Sequence, residues 1–388
     1  MSLKMRYNFL HLFYWFAMCC TNGFIAVFLQ YFNMTNTEIG IVTGGSCVLT
    51  IFLSPFMSSL LSKIKGLTIK KALTISFITN IVIFLSMILL PIPNYGIMVL
   101  YMVMYALGLS TVPFLTMIAM NYISQGQDVN FGLARGIGSA AWAVSALLFG
   151  KIVDFINPTV LVFGYSIFIL LTLLVVYTLP EYEREETHQE KQGSVLEVVK
   201  KYKVFFMLLV GFCFMFAGAT CIGTYLINIV KKLGGNTSLY GVCIFFMAFS
   251  ELPFMTLAPK LMKKFDSVTL IVVASVAYVL RNFTICLAPN LIVVMIGMAF
   301  QGLSYGLFTG VITYYITYHL EAQDQLSAQT LLGIMTSGIG STIGNILGGV
   351  LQDNFGLSTM FMFIYIVTVI GVVIIFIAKK QSVEKRPS

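Results

Sequence analysis

Runs of about twenty or more apolar residues recur twelve times along this chain of 388, and nothing constrains its fold more. They fall near residues 8–31, 39–62, 70–93, 96–122, 131–154, 158–179, 204–230, 237–260, 268–288, 290–317, 327–351 and 356–379. Each is long enough to cross a bilayer as a helix, which takes about 20 residues. Inside lipid a segment must satisfy its own backbone polar groups, and a helix does so. Barrel strands are excluded, because they alternate in character over about 10 residues, whereas these runs are continuous. Charged residues make up only 10% of the chain, against about 25% in soluble domains. The predicted fold is therefore an all-α membrane protein with twelve transmembrane helices. No cleavable signal peptide is expected, since the first run is span-length and lacks an A-x-A-like site.

The net charge of +8 follows from topology and is not a nucleic-acid signal. With the N-terminus placed in the cytoplasm, eighteen Lys and Arg fall on inner segments, including Lys63, Lys70, Lys71, Lys200, Lys201, Lys260, Lys263 and Lys264. Lys151, Lys231 and Lys232 fall outside. The positive-inside rule then predicts a multi-pass protein of the cytoplasmic membrane with both termini cytoplasmic, and Lys231 and Lys232 run against it. All seven cysteines lie within apolar runs and contain no C-x-x-C, so they read as small core residues rather than a disulfide framework or a metal site. No cofactor is expected.

The chain also repeats itself. The one long charged stretch, 181–203, carries six Glu, one Arg and four Lys and divides the runs six and six. It reads as a cytoplasmic linker, with a short interfacial helix over Ser194–Lys203, between an N-terminal half (1–180) and a C-terminal half (204–388). Gly136-Ile137-Gly138-Ser139 in the fifth run returns as Gly338-Ile339-Gly340-Ser341 in the eleventh, 202 residues later. Each is followed by a Gly-x-x-x-Asp exit, Gly150 to Asp154 and Gly349 to Asp353. Pseudo-symmetric parallel halves describe one large transporter architecture, whose site is expected near the membrane midplane where the halves meet. The faces Gly132, Gly136, Ser139 and Gly340, Gly344, Gly348 permit close helix approach, either as static packing or as a rocking surface.

Three charges sit inside apolar runs, where each costs a few kcal/mol, about 2.5–3.5 on insertion scales. Glu251 lies about 14 Å into the eighth run and Arg281 about 20 Å into the ninth, by helical rise. They read either as a buried structural ion pair or as a functional acid with its tuning base. A carboxyl held between burial, which disfavours its ionised form, and a guanidinium, which favours it, can exchange protons near neutral pH. Arg135 near the inner end of the fifth run shares a face with Trp142, two helical turns on. A guanidinium binds hydroxyls and anions, and an indole stacks on an apolar ring face. The bland alternatives are a snorkelling Arg135 and a lipid- or core-packed Trp142. Asn22, Asn228, Gln301 and Ser304 complete the candidate solute-binding set, with Gln301 and Ser304 spaced i, i+3. His11 and His319 fall near the ends of their runs.

These residues resemble the major facilitator superfamily, and within it the lactose-permease-like oligosaccharide:proton symporters. The match covers the whole chain in layout. It is strongest over 131–142, where FGLARGIGSAAW resembles the family's Phe-Gly-x-Ala-Arg-x-x-Gly stretch followed by a Trp. The resemblance implies that Arg135 binds substrate hydroxyls and Trp142 stacks on the sugar. It also implies that Glu251, in Ser-Glu-Leu, is the acid that binds sugar and takes part in coupling, that Arg281 is the ninth-helix arginine, and that Asn228 is a seventh-helix asparagine. The chain departs from the family in the tenth helix, where Gln301-Gly302-Leu303-Ser304 stands in place of His-x-x-Glu. The acid late in the fourth helix is absent from Met117-Ile118-Ala119-Met120-Asn121, and Thr220 and Thr336 stand where the family pairs Asp with Lys. Ser62 is nearest to the Asp usual after the second helix. Glu251 is thus left as the one mid-depth carboxylate.

The expectation is a monomeric secondary transporter coupling uptake of a sugar or oligosaccharide to proton entry by alternating access. Its partners would be a small polar solute, the proton and the lipid bilayer. Glu251 and Arg281 would carry coupling; Arg135, Trp142, Glu251, Asn228, Gln301, Ser304 and Asn22 would bind solute. Nucleoside or aromatic-acid symport, export of amphipathic compounds and a non-transporting solute sensor stand as alternatives. An enzyme is not expected, because the chain holds no phosphate-binding loop and no H-E-x-x-H.

Overall fold

Where the apolar runs are, helices form. The computed structural model describes residues 1–64, 66–180 and 194–384. Lys65, the linker residues 181–193, Lys385 and Arg386 lie outside the described residues, as do the side chains of Ser62 and Pro259. Among the described residues eleven helices are long and apolar enough to cross a membrane, and twelve when the bent pair Leu3–Gly23 with Ile25–Tyr31 is counted as one span. In chain order the remaining eleven are Asn36–Leu61, Ile69–Leu89, Asn94–Ser124, Phe131–Phe155, Val160–Thr178, Lys203–Lys232, Thr237–Met255, Ser267–Cys286, Leu291–His319, Ala322–Phe355 and Leu357–Ser382. We refer to them as the first to twelfth helices.

Local sequence sets their ends. Thr35 accepts from the Glu38 backbone N–H while the Glu38 carboxylate accepts from that of Thr35 (2.8 Å), closing a capping box at the start of the second helix. Asn130 caps the fifth helix and Asn290 the tenth through their side-chain oxygens. Gly234 and Gly356 close the seventh and eleventh helices with φ of +79° and +84°, a conformation that side chains resist. The interfacial helix forms over Val195–Lys201, with Ser194 and Glu197 in a second capping box, and ends two residues short of the sequence expectation because Lys203 opens the seventh helix.

The chain divides into two compact units. One holds the first six helices together with Gly235–Phe245; the other holds the interfacial helix, the seventh helix and everything from Phe246 onward. Within the first unit the first helix packs on the fifth and sixth, and within the second the seventh packs on the eleventh and twelfth. The repeated glycines belong to these matching contacts. A Cβ at Gly138 would overlap Trp15 of the first helix, and one at Gly340 would press on the Cys213 carbonyl of the seventh. Gly344 and Gly348 lie against Ala217 and Cys221, so the eleventh-helix glycine face is packed against the seventh. The seventh helix is the interior one, with 67% of its apolar window buried against 33% for the twelfth.

Three helices are interrupted by wide turns of π geometry: Cys19–Gly23 in the first, Gly302–Gly306 in the tenth and Ile334–Gly340 in the eleventh. Such turns recur at functional sites. The fourth helix breaks at Thr111, just before Pro113, whose missing N–H interrupts the ladder. The Tyr14 hydroxyl of the first helix reaches the break, 3.1 Å from the Thr111 hydroxyl.

Candidate functional site

In the first unit the fifth helix presents Arg135 half-buried. Its Nη1 donates to the Ser139 hydroxyl one turn on, at 3.3 Å. The guanidinium carbon lies 4.3 Å from the ring centre of Trp15, on the first helix. Trp142 is adjacent: the two indoles are 6.2 Å apart and inclined by 60°. Arg135 thus meets the chain's other tryptophan rather than the one predicted to share its role. Trp15 in turn donates to His11. His11 lies two turns into the first helix, which begins at Leu3, and is only 3% exposed. Asn22 sits in the wide turn of the first helix, where its side-chain oxygen accepts from the Thr21 hydroxyl at 3.1 Å.

In the second unit the eighth helix carries Glu251 against the wide turn of the tenth. Gly302 and Gly306 make this possible. A Cβ at Gly302 would overlap the Ser250 carbonyl, and one at Gly306 would stand 3.4 Å from the Glu251 Cα. The Gly302 N–H donates to the Ser250 hydroxyl at 3.0 Å. Gln301, one residue before that turn, donates from Nε2 to the Glu251 carboxylate at 3.2 Å, and its own Oε1 is buried without a partner. A glutamine is well suited here: its N–H₂ serves an ionised carboxylate and its carbonyl serves a protonated one. Ser304, predicted to share a face with Gln301, is fully buried, and its hydroxyl donates to the Phe300 carbonyl at 2.9 Å and the Gln301 carbonyl at 3.3 Å.

Arg281 is 1% exposed, on the ninth helix of the same unit that holds Glu251. Its Nη1 donates to Asn282 Oδ1 at 2.9 Å, and its Nε has no hydrogen-bond partner. Asn282 passes the chain on, donating to the Thr368 hydroxyl of the twelfth helix at 2.8 Å. Gly218 leaves room for that bond, since a Cβ there would lie 3.1 Å from the Asn282 amide. Asn228, half-buried, lies one turn beyond Thr224, whose hydroxyl donates to Asn345 at 2.8 Å.

Sequence reasoning missed Trp15, His11 and Gly138. The signal was present: Tyr7, His11 and Trp15 stand four residues apart, and Trp15 is one of only two tryptophans. The apolar surroundings concealed it.

Twelve helices in repeated halves, with charged side chains held inside two of the helix groups, define a membrane transporter of the major facilitator type. The model of the MFS_1 like family matches residues 4–363, and the chain belongs to that family. It is therefore a multi-pass membrane transporter and not an enzyme. Among curated proteins it is similar to the maltose permease of Geobacillus stearothermophilus, 25% identical over 288 residues that cover 73% of this chain and 72% of the relative. It is 21% identical to the uncharacterized transporter YwbF of Bacillus subtilis (strain 168), over 96% of this chain and 93% of the relative. Among solved structures it resembles a point mutant of the nucleoside transporter NupG, with a TM-score of 0.83 at 14% identity over 98% of this chain and 99% of that one. It also resembles a bacterial homolog of the human lysosomal transporter Spinster, inward-facing and unoccupied, with a TM-score of 0.68 at 12% identity over 100% and 98%. At these identities the structural likenesses establish the fold.

Proposed function

We propose that the chain is a proton-coupled importer of a sugar or short oligosaccharide in the cytoplasmic membrane, working by alternating access with both termini cytoplasmic. The observation that carries this reading is the seating of Glu251. A carboxylate at membrane depth is bonded to an amide that can serve either of its protonation states, on a tenth-helix turn made for close approach. Glu251 takes up and releases the proton, and Arg281 supplies the fixed positive charge in the same unit. Arg135, Trp142, Asn22, Glu251, Gln301, Asn228 and Ser304 are the residues that contact solute in this reading. The curated maltose permease relative supports a sugar.

Glu251→Gln reconstituted in liposomes should lose uphill accumulation driven by a pH gradient and keep some solute exchange. Accumulation at the wild-type level in that variant would remove Glu251 from the mechanism. Nucleoside uptake is the second reading, favoured by the pair of indoles beside Arg135, which suits a flat aromatic ring.

A further inference from the structure

Tyr7, His11 and Trp15 form one row on one face of the first helix, each a turn from the next. Trp15 Nε1 donates to His11 Nδ1 at 3.3 Å. His11 Nε2 lies 2.9 Å from the Tyr7 hydroxyl, which itself donates to the Leu115 carbonyl of the fourth helix at 2.9 Å. A hydroxyl has one proton, so Tyr7 accepts from His11, and the imidazole is the neutral ring protonated at Nε2. Each polar hydrogen in the row has an acceptor, and the row runs in one direction only. Phe131 closes on His11 from the fifth helix, with ring centres 6.2 Å apart. The indole of Trp15 lies across Gly138, the repeated-motif glycine, where any Cβ would overlap it. The ring is thus held by its N–H and by close contact with the fifth helix at Gly138, and the Arg135 guanidinium lies 4.3 Å from its centre.

We propose that Trp15 is a second ring platform of the first unit's solute site, capped by Arg135 while no solute is bound. A solute with a flat or apolar ring face takes the place of the guanidinium on the indole, and the released guanidinium turns to the solute's polar groups. Trp142 forms the adjoining wall at 60°, so the corner selects a ring over an open chain. His11 is a positioning residue that acts through Trp15. The ligand half of this proposal rests on the reading of the chain as an importer of a ring-bearing solute; the capped arrangement does not.

The test uses the full chain in liposomes with maltose and uridine as probes. Because the chain has two tryptophans, the difference between wild-type and Trp15→Phe spectra isolates the emission of Trp15. Without solute, Arg135→Gln and His11→Leu should each shift that emission. His11→Gln should leave it in place, since a glutamine can accept from Trp15 and donate to Tyr7. Whichever probe the wild type takes up should shift the emission with a half-saturation equal to its KM. Trp15→Ala should raise that KM about ten-fold, the scale of a lost ring stack, with the maximal rate changed far less. His11→Leu should raise KM by several-fold, and His11→Gln should restore it. Solute-free spectra that ignore both Arg135→Gln and His11→Leu overturn the capped platform. A transported probe that leaves both the emission and the KM of Trp15→Ala unmoved overturns Trp15 as a solute contact. Uptake of neither probe refutes the sugar-or-nucleoside reading, and the solute-free spectra then decide the proposal by themselves.

Discussion

The two arginines held at membrane depth live under opposite regimes. Arg135 is half-buried, lies on an indole face and makes one hydrogen bond to a serine on its own helix. Arg281 is sealed in, tied to Asn282 and through it to Thr368, with Nε unanswered. A guanidinium over an aromatic ring gives up about 0.5–2 kcal/mol when it moves, so Arg135 is poised to be redirected by whatever enters beside it. A sealed guanidinium with an unmet donor is a standing cost.

That contrast can be broken by experiment. The largest expected effect is at Arg281. Arg281→Met leaves the buried Asn282 Oδ1 without its donor, which should cost about 1–3 kcal/mol of stability, while uphill accumulation falls to the level of passive entry. Accumulation at the wild-type level would make Arg281 a structural brace. Next comes Thr368→Val, which strands the buried Asn282 amide and should cost about 1–3 kcal/mol without changing KM for solute. A change in KM there would draw the Asn282 chain into the binding site. Arg135→Lys keeps the charge but loses the planar fork; we expect KM to rise about ten-fold with little change in melting temperature. The smallest effect lies where the interfacial helix meets the connection between the tenth and eleventh helices. There Lys201 bridges Glu321 at 2.6 Å and Asp324 at 2.8 Å. The hydrogen bond from Lys201 lowers the pKa of Glu321 from its ordinary 4.5. A carboxyl with a lowered folded-state pKa stabilises the fold above its ordinary value and loses that contribution as pH falls through the folded one. The small melting difference between wild type and Lys201→Met should accordingly be present at pH 7 and vanish in acid. A difference that persists in acid would assign it to packing of the Lys201 side chain.

Much of the scaffold was legible because lipid imposes a one-dimensional rule. A segment either is apolar for about twenty residues or is not, and this fixed the number of helices and put their ends within a few residues. Helix starts were the weakest point. Leu3 lies five residues before the expected boundary because Lys4 and Arg6 look like solvent to a hydropathy scan. The Arg135–Trp142 stretch was visible as a motif, but its partner Trp15 comes from another helix, and no spacing within one segment encodes that. The Gln301–Glu251 bond was hidden for a similar reason. Gln301 and Glu251 stand on different helices, and no spacing within either one encodes their contact. The glycine face expected on the eleventh helix, Gly340, Gly344 and Gly348, packs on the seventh, whereas the expected fifth-helix face of Gly132, Gly136 and Ser139 does not include Gly138, the glycine that an indole approaches.

The three wide turns give the first, tenth and eleventh helices one residue more than regular coiling requires. That surplus is slack which a helix can pass along its length without parting its ladder of backbone bonds. Each residue it passes swings about 100° around the axis, the angular step of an α-helix. Asn22, Ser304 and Thr336 lie within these turns, so a register slip of a single residue would re-aim them while the far ends of their helices stay anchored.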